Sequence, residues 1–460
     1  MMKSLCCILV VIVVTIVGPL YSKEQQTPNA PADAATNCAH VVTNQTVTEL
    51  RTFSEPMEVS RGVRFIKGKD GRLIFKHPLK APRTQIFQGF LPGDVVFDAE
   101  TVVFPEWWGA SAAGDPALAG TNVTALNAAC AAVGKSPLAI SLSGVYYING
   151  KIFPRSRSRL IAQKHGGFKA IPNLVIPAGE YLVEINGQSD VILDGIEING
   201  NRANQPQDRA HTFGGILVIK SDRCTIKNSK VHDCNGPTAG GALGNGIRTL
   251  KATDILICKN QLYSNNGCGI NLYFSSHNIR VLNNKIWNNT EIGIESEGRN
   301  GGDYKNYRNS EITIADNDIS GKTEPNRPDD HSILVDWTDN VVISGNRCQK
   351  NNHNGIEILG SHKVDVARNY CAANGDVGPP RYTWAGVRVG AEGFGEDGRS
   401  YDVTIRDNQI VGSQFGIYID TASRVTVRGN KISGTPNAAL TIGARTTEVK
   451  TSDNDIQGTK

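Results

Sequence analysis

The chain lacks an excess of charge of either sign. Its 48 Lys and Arg face 44 Asp and Glu for a formal net charge of +4, with no basic cluster and no acidic tail. Nucleic acid is therefore not an implied partner. Apolar residues are also sparse at 39 %, somewhat below the usual globular range, which is compatible with one elongated domain in a chain of 460 residues, long enough for a large core. Ten cysteines contain no CxxC pair, so their spacing marks no metal-binding knuckle. The first apolar run, Leu5 to Val17, is too short to favour a membrane span.

What is present begins with export. Met1-Met2-Lys3, the apolar run, then Gly18, Pro19 and Ser22 read as a signal peptide over residues 1–22, with an uncleaved anchor as the alternative. Cys6 and Cys7 lie too early in the run for a lipoprotein cleavage site. A soluble protein, secreted to the extracellular space or periplasm, is expected, with no membrane contact beyond the signal. Residues 23–40, rich in Gln, Pro, Asn and Ala, suit a linker. Residues 41–105 alternate apolar and polar positions between turn signals, as in Gly62-Val-Arg-Phe-Ile, and predict short β-structure. Residues 106–460 form the main domain, with one short capping helix expected at about 121–133 to cover the open first coil.

From about Tyr181 onward the chain repeats itself. Gly215-Ile216, Gly246-Ile247, Gly269-Ile270, Gly293-Ile294, Gly355-Ile356, Gly386-Val387 and Gly416-Ile417 each open an apolar-x-apolar strand. A second strand follows each and closes on an asparagine: Asn260, Asn284, Asn317, Asn346, Asn369, Asn408, Asn430 and Asn454. The shortest spacings set one coil at roughly two dozen residues. Such coils stack at about 4.8 Å, so equivalent residues form ladders: Ile and Val inward, corner Asn bonding to neighbouring backbone. The fold class implied is all-β, a single-stranded right-handed parallel β-helix. Cys348 and Cys371 occupy the same position on successive coils, which suits a disulfide or stacked free thiols equally.

The segment Phe104-Pro-Glu-Trp-Trp-Gly-Ala, the pair Gly114-Asp115, the Ala-rich helix and Gly144-Val-Tyr-Tyr-Ile resemble the start of the pectate-lyase-like β-helix superfamily. That resemblance implies the same fold and a polysaccharide lyase, glycoside hydrolase, epimerase or tailspike, as a monomer or a homotrimer. Its polysaccharide partner would lie on the outer face.

Period-two alternation in the Gly-Ile strands decides which side chains face outward. The first outward ladder reads Arg248, Asn271, Glu295, Leu334, Glu357, Arg388, Tyr418, and the second Leu250, Tyr273, Glu297, Asp336, Leu359, Gly390, Asp420. Glu295, Glu297, Asp336 and Glu357 thus gather on three coils. Clustered like charges cost stability unless protons, a metal or cations compensate, which marks a site. A solvated polar face with Glu357 paired to Arg388 is the structural alternative. Long insertions on these coils bring Tyr304, Tyr307, Asp330, Tyr382 and Trp384, which with Tyr273 suit sugar rings and acidic sugars.

Two mechanisms fit. A lyase acting on a uronic-acid polymer needs positive charge on the substrate carboxylate and a base for the neighbouring proton. Asn271 followed one coil later by Glu295-x-Glu297 resembles the calcium-dependent β-helix lyases of the alginate and chondroitin type. The resemblance implies Ca²⁺ held by Asn271, Glu295 and Glu297, and a base among Arg299, Lys305 and Arg388, with His331 also eligible. A hydrolase would instead use two carboxylates. Glu297 and Asp336 on adjacent coils, about 5 Å apart, suit retention, whereas Glu295 and Glu357, about 10 Å apart, lie near the inverting range. C5-epimerisation begins with the same proton removal as elimination, and Pro328-Asp-Asp-His331 is a scrambled echo of the epimerase motif. A non-catalytic carbohydrate-binding β-helix is the remaining class.

Overall fold

The Gly-Ile motif owes its glycine to a close approach of successive coils. A Cβ at Gly246 would lie 2.6 Å from the carbonyl oxygen of Gly269, and one at Gly269 would lie 2.6 Å from that of Gly293. Glycine permits that close stacking on most coils, and one coil carries Ser332 at the equivalent position. The following residue points inward, and Ile216, Ile247, Ile270, Ile294, Ile333, Ile356, Val387 and Ile417 form one unbroken register ladder. Every member is fully buried.

The computed structural model describes residues 38–162, 166–236, 244–299, 307–321, 331–375, 384–391 and 398–458. The expected signal peptide and most of the linker lie outside these residues. Among those described, three long sheets run parallel to one another along the chain, of thirteen, twelve and ten strands, and every strand pairing in them is parallel. The ten-stranded sheet, from Glu180–Asn186 to Ala438–Ile442, carries the Gly-Ile strands. The architecture is the parallel β-helix that the repeat implies.

The asparagines build one corner. Asn346 Nδ2 donates to the carbonyl of Ile314 at 2.9 Å, while its Oδ1 accepts from the backbone N–H of Asn317 at 3.0 Å. The same pair of bonds recurs at Asn284, Asn369, Asn408 and Asn430. Each ladder asparagine from Asn260 to Asn454 follows a residue at positive φ, between 53° and 67°, which turns the chain sharply. At non-glycine positions such as Lys259 and Arg368 that conformation costs about 1 kcal/mol, which the amide bonds offset.

The N-terminal part coils as well. Strands within residues 39–97 form three further short parallel sheets of about 20 residues per coil, and the buried core runs without interruption from Val47 to Ala439. Phe53, Phe75 and Phe97 stack on successive coils at 5.0 and 4.9 Å, leading to buried Trp107. The helix occupies Ala119–Ala131 and packs between strand Val95–Phe97 and strand Val145–Ile148. Covered on both sides, its second half is buried nearly all round rather than along one stripe. Cys348 and Cys371 are fully buried ladder neighbours; all eight cysteines from Cys38 to Cys371 are free thiols, with Cys38 and Cys258 partly exposed.

Candidate functional site

In-register parallel pairing places Asn271 beside Glu295, Glu297 beside Asp336, and Glu357 beside Arg388, with Leu334 separating Glu295 from Glu357. The ladder therefore resolves into two clusters on the outer side of the ten-stranded sheet. Facing outward does not mean exposed here: Asn271 is 2 % and Glu357 3 % accessible.

The first cluster centres on Glu295. Its Oε2 accepts from the amide of Asn271 and lies 3.2 Å from the Sγ of Cys268. Burial and the charge of Glu297 push its carboxyl up to about 7, against the opposing pull of those two donors. Burial and the carboxylates of Glu295 and Glu291 push the Cys268 thiol well up, so it stays an S–H donor. The Oδ1 of Asn271 is buried and has no hydrogen-bond partner among the described residues. The pocket is thus oxygen-rich, with one carboxyl that gains or loses its proton near neutrality.

Cationic and aromatic groups flank it. The Arg248 guanidinium lies 3.7 Å above the ring of Tyr273, which stacks on Phe274 at 3.7 Å. Arg299 reaches Glu297 at 4.0 Å and sits 5.4 Å from the Phe274 ring, with Tyr307 beyond. Burial and Glu297 raise the Tyr273 phenol, so it remains protonated.

The second cluster holds Glu357 between Arg388 and His331, whose Nδ1 lies 3.1 Å from Oε2. Burial alone would raise this carboxyl, but His331 and Arg388 outweigh it and hold it below the usual range. Glu357 is thus a committed anion with its oxygens engaged. His353 stacks on Trp384 at 3.8 Å, and burial together with His331 drives it down to about 4, so it is neutral at physiological pH.

The structure brings Asn271, Tyr273, Glu295, Glu297, Asp336, Arg299 and Tyr307 to one patch and His331, Glu357, Arg388 and Trp384 to another. Tyr304, Lys305, Asp330 and Tyr382 lie outside the described residues. Sequence reasoning missed Cys268 and His353, which enter from coil corners, and gave no role to Arg248, although its ladder position was readable.

A right-handed beta helix region model matches residues 162–306 and 305–456. Solved structures share the fold at low identity. The A-module of a mannuronan C-5 epimerase from Azotobacter vinelandii aligns at TM-score 0.57 and 16 % identity, over 76 % of this chain and 99 % of that one. An exopolygalacturonase from Thermotoga maritima aligns at 0.55 and 11 %, over 78 % and 92 %. A surface adhesin of Streptococcus pneumoniae aligns at 0.55 and 15 %, over 78 % and 93 %. A search of curated proteins finds no match.

Proposed function

This chain belongs to the right-handed β-helix family, and from that premise we propose that it is an exported polysaccharide lyase cleaving a uronic-acid polymer by β-elimination. The observation that carries the reading is the first cluster: Glu295 pushed up to about 7 beside Glu297, with a buried Asn271 oxygen that has no partner among the described residues. The likeness to an epimerase acting on mannuronan and to an exopolygalacturonase supports a polysaccharide substrate.

Asn271, Glu295 and Glu297 offer the hard oxygen donors that suit Ca²⁺. When bound, that ion would supply positive charge to the substrate carboxylate, lowering the cost of the carbanion formed beside it. The chain's own groups do the rest. Arg248 and Arg299 give the anionic sugar a cationic wall, and the Tyr273–Phe274 pair gives it a flat apolar contact. The neutral amine of Lys305, in the segment that follows Glu297 in sequence, takes the C5 proton. The C5–H electron pair is delocalised into the uronate carboxyl group and then forms the C4=C5 double bond as the C4–O bond breaks, and the departing oxygen takes a proton from solvent water. His331 and Arg388 are engaged by Glu357 and serve the site by holding that anion in place.

Purified protein is incubated with alginate, pectate, glycosaminoglycan and neutral glucans. Ultraviolet absorbance from an unsaturated uronate, abolished by Glu297→Gln and reduced by EDTA, is expected. New reducing ends without that absorbance would replace the lyase with a hydrolase using Glu297 and Asp336, the carboxylate pair on adjacent coils.

A further inference from the structure

The first coil carries a second set of ligand-bearing side chains, far in sequence from the candidate site and outside the residues matched by the family model. Cys38 and His40 are two residues apart on an extended segment, so their side chains share one face. His40 pairs in register with Glu58 on the second coil, where Met57 and Val59 point into the core and Glu58 points away from it. The Cys38 sulfur, a His40 ring nitrogen and a Glu58 carboxylate oxygen all lie within 4.8 Å of one another. Cys38 is a free thiol. Glu58 also meets Lys80 at 3.0 Å, but Lys80 is 76 % exposed, and such a surface pair is easily given up.

We propose that Cys38, His40 and Glu58 form a metal site of the Zn²⁺ class that clips the first coil to the second. A thiolate, an imidazole and a carboxylate are the donor set of a four-coordinate borderline cation, with water completing the shell. Ca²⁺ would prefer oxygen alone. On binding, Cys38 gives up its S–H proton to solvent and the metal–sulfur bond forms, with no change of oxidation state. The clip sits where the fold needs one. Among the described residues, strand Ala39–Val41 is the first strand of its sheet and is largely exposed, with one pairing partner where inner strands have two.

The full chain, stripped with EDTA and kept under a non-thiol reductant, is titrated with Co²⁺ as a spectroscopic substitute and then with Zn²⁺. One equivalent of Co²⁺ should produce thiolate-to-cobalt charge-transfer absorption and the visible bands of a tetrahedral site. Cys38→Ser should abolish the charge-transfer band, and His40→Ala should weaken Zn²⁺ binding by about tenfold or more. Zn²⁺ should slow amide exchange across residues 39–59 in the native chain and not in Cys38→Ser. Absence of the band, or its survival in Cys38→Ser, would overturn the assignment. Unchanged exchange with Zn²⁺ bound would overturn the clip. Because Ca²⁺ gives no thiolate band, failure here leaves the lyase reading untouched.

Discussion

Glu295 makes a quantitative prediction about the site. Its carboxyl rises from 4.5 to about 7 through burial and the nearness of Glu297, which corresponds to about 3 kcal/mol against the ionised form. Between those two pH values the folded chain keeps a proton that the unfolded chain has lost, so stability falls as pH rises across that window and levels off above about 7. Glu295→Gln keeps the shape and removes the charge. At pH 8 the variant should therefore be the more stable protein by about 3 kcal/mol at this coil, and at pH 4 the two should agree. A long solenoid does not unfold in one step, so local opening is the appropriate readout. Amide exchange of strand Ile294–Glu297, compared between native and variant chains at each pH, should differ by about a hundredfold at pH 8 and little at pH 4. Ca²⁺ should close that gap by stabilising the ionised native form, more at pH 8 than at pH 5. Equal protection at both pH values, or a directly titrated Glu295 near 4.5, would refute the reasoning.

Other consequences are simpler. Asn346→Ala strands the Ile314 carbonyl and the Asn317 N–H inside the corner and should cost about 3 kcal/mol, measured as lost amide-exchange protection of strands Asn309–Ala315 and Thr338–Ser344; unchanged protection would remove the ladder's energetic role. Gly269→Ala drives a methyl to 2.6 Å from the Gly293 carbonyl and should destabilise by at least about 2 kcal/mol, with loss of exchange protection concentrated on the neighbouring coils. Arg388→Ala removes the guanidinium from the buried Glu357, leaving it His331 and Asn354, and should cost about 3 kcal/mol near neutrality. Because Glu357 is held below its usual range, that cost should shrink as pH falls and the carboxylate is protonated; a cost that stays constant down to pH 3 would contradict the ion-pair account.

The reach of the sequence can be judged from particular residues. Period-two alternation plus a fixed coil length makes register readable, so the pairings of Asn271 with Glu295, Glu297 with Asp336 and Glu357 with Arg388 follow from the primary structure. The Asn corner keeps the period, but the residue types just before the Gly-Ile strands vary from coil to coil, as with Cys268, Ile292 and His331. Cys268, His331 and His353 reach the site from turns whose paths depend on inserted loops, and nothing in their spacing marks the thiol contact with Glu295 or the stack of His353 on Trp384. Alternation also tells direction but not cover, and Glu357, pointing outward, is buried all the same. In residues 41–105 the alternation was plain, yet the coil lacks the Gly-Ile and Asn marks. Its repeat is carried by phenylalanine: Phe53, Phe75 and Phe97 recur every 22 residues and stack on one another.

The central claim is that this face of the β-helix removes a proton from carbon beside a uronate carboxyl. It is tested most directly by incubating the protein with polyuronates in heavy water and examining the recovered sugars by NMR. The account predicts unsaturated ends, absent with Glu297→Gln; deuterium at C5 without chain cleavage would show the same proton removal ending in epimerisation. Saturated, deuterium-free fragments with new reducing ends, or no change in any polyuronate, would contradict it.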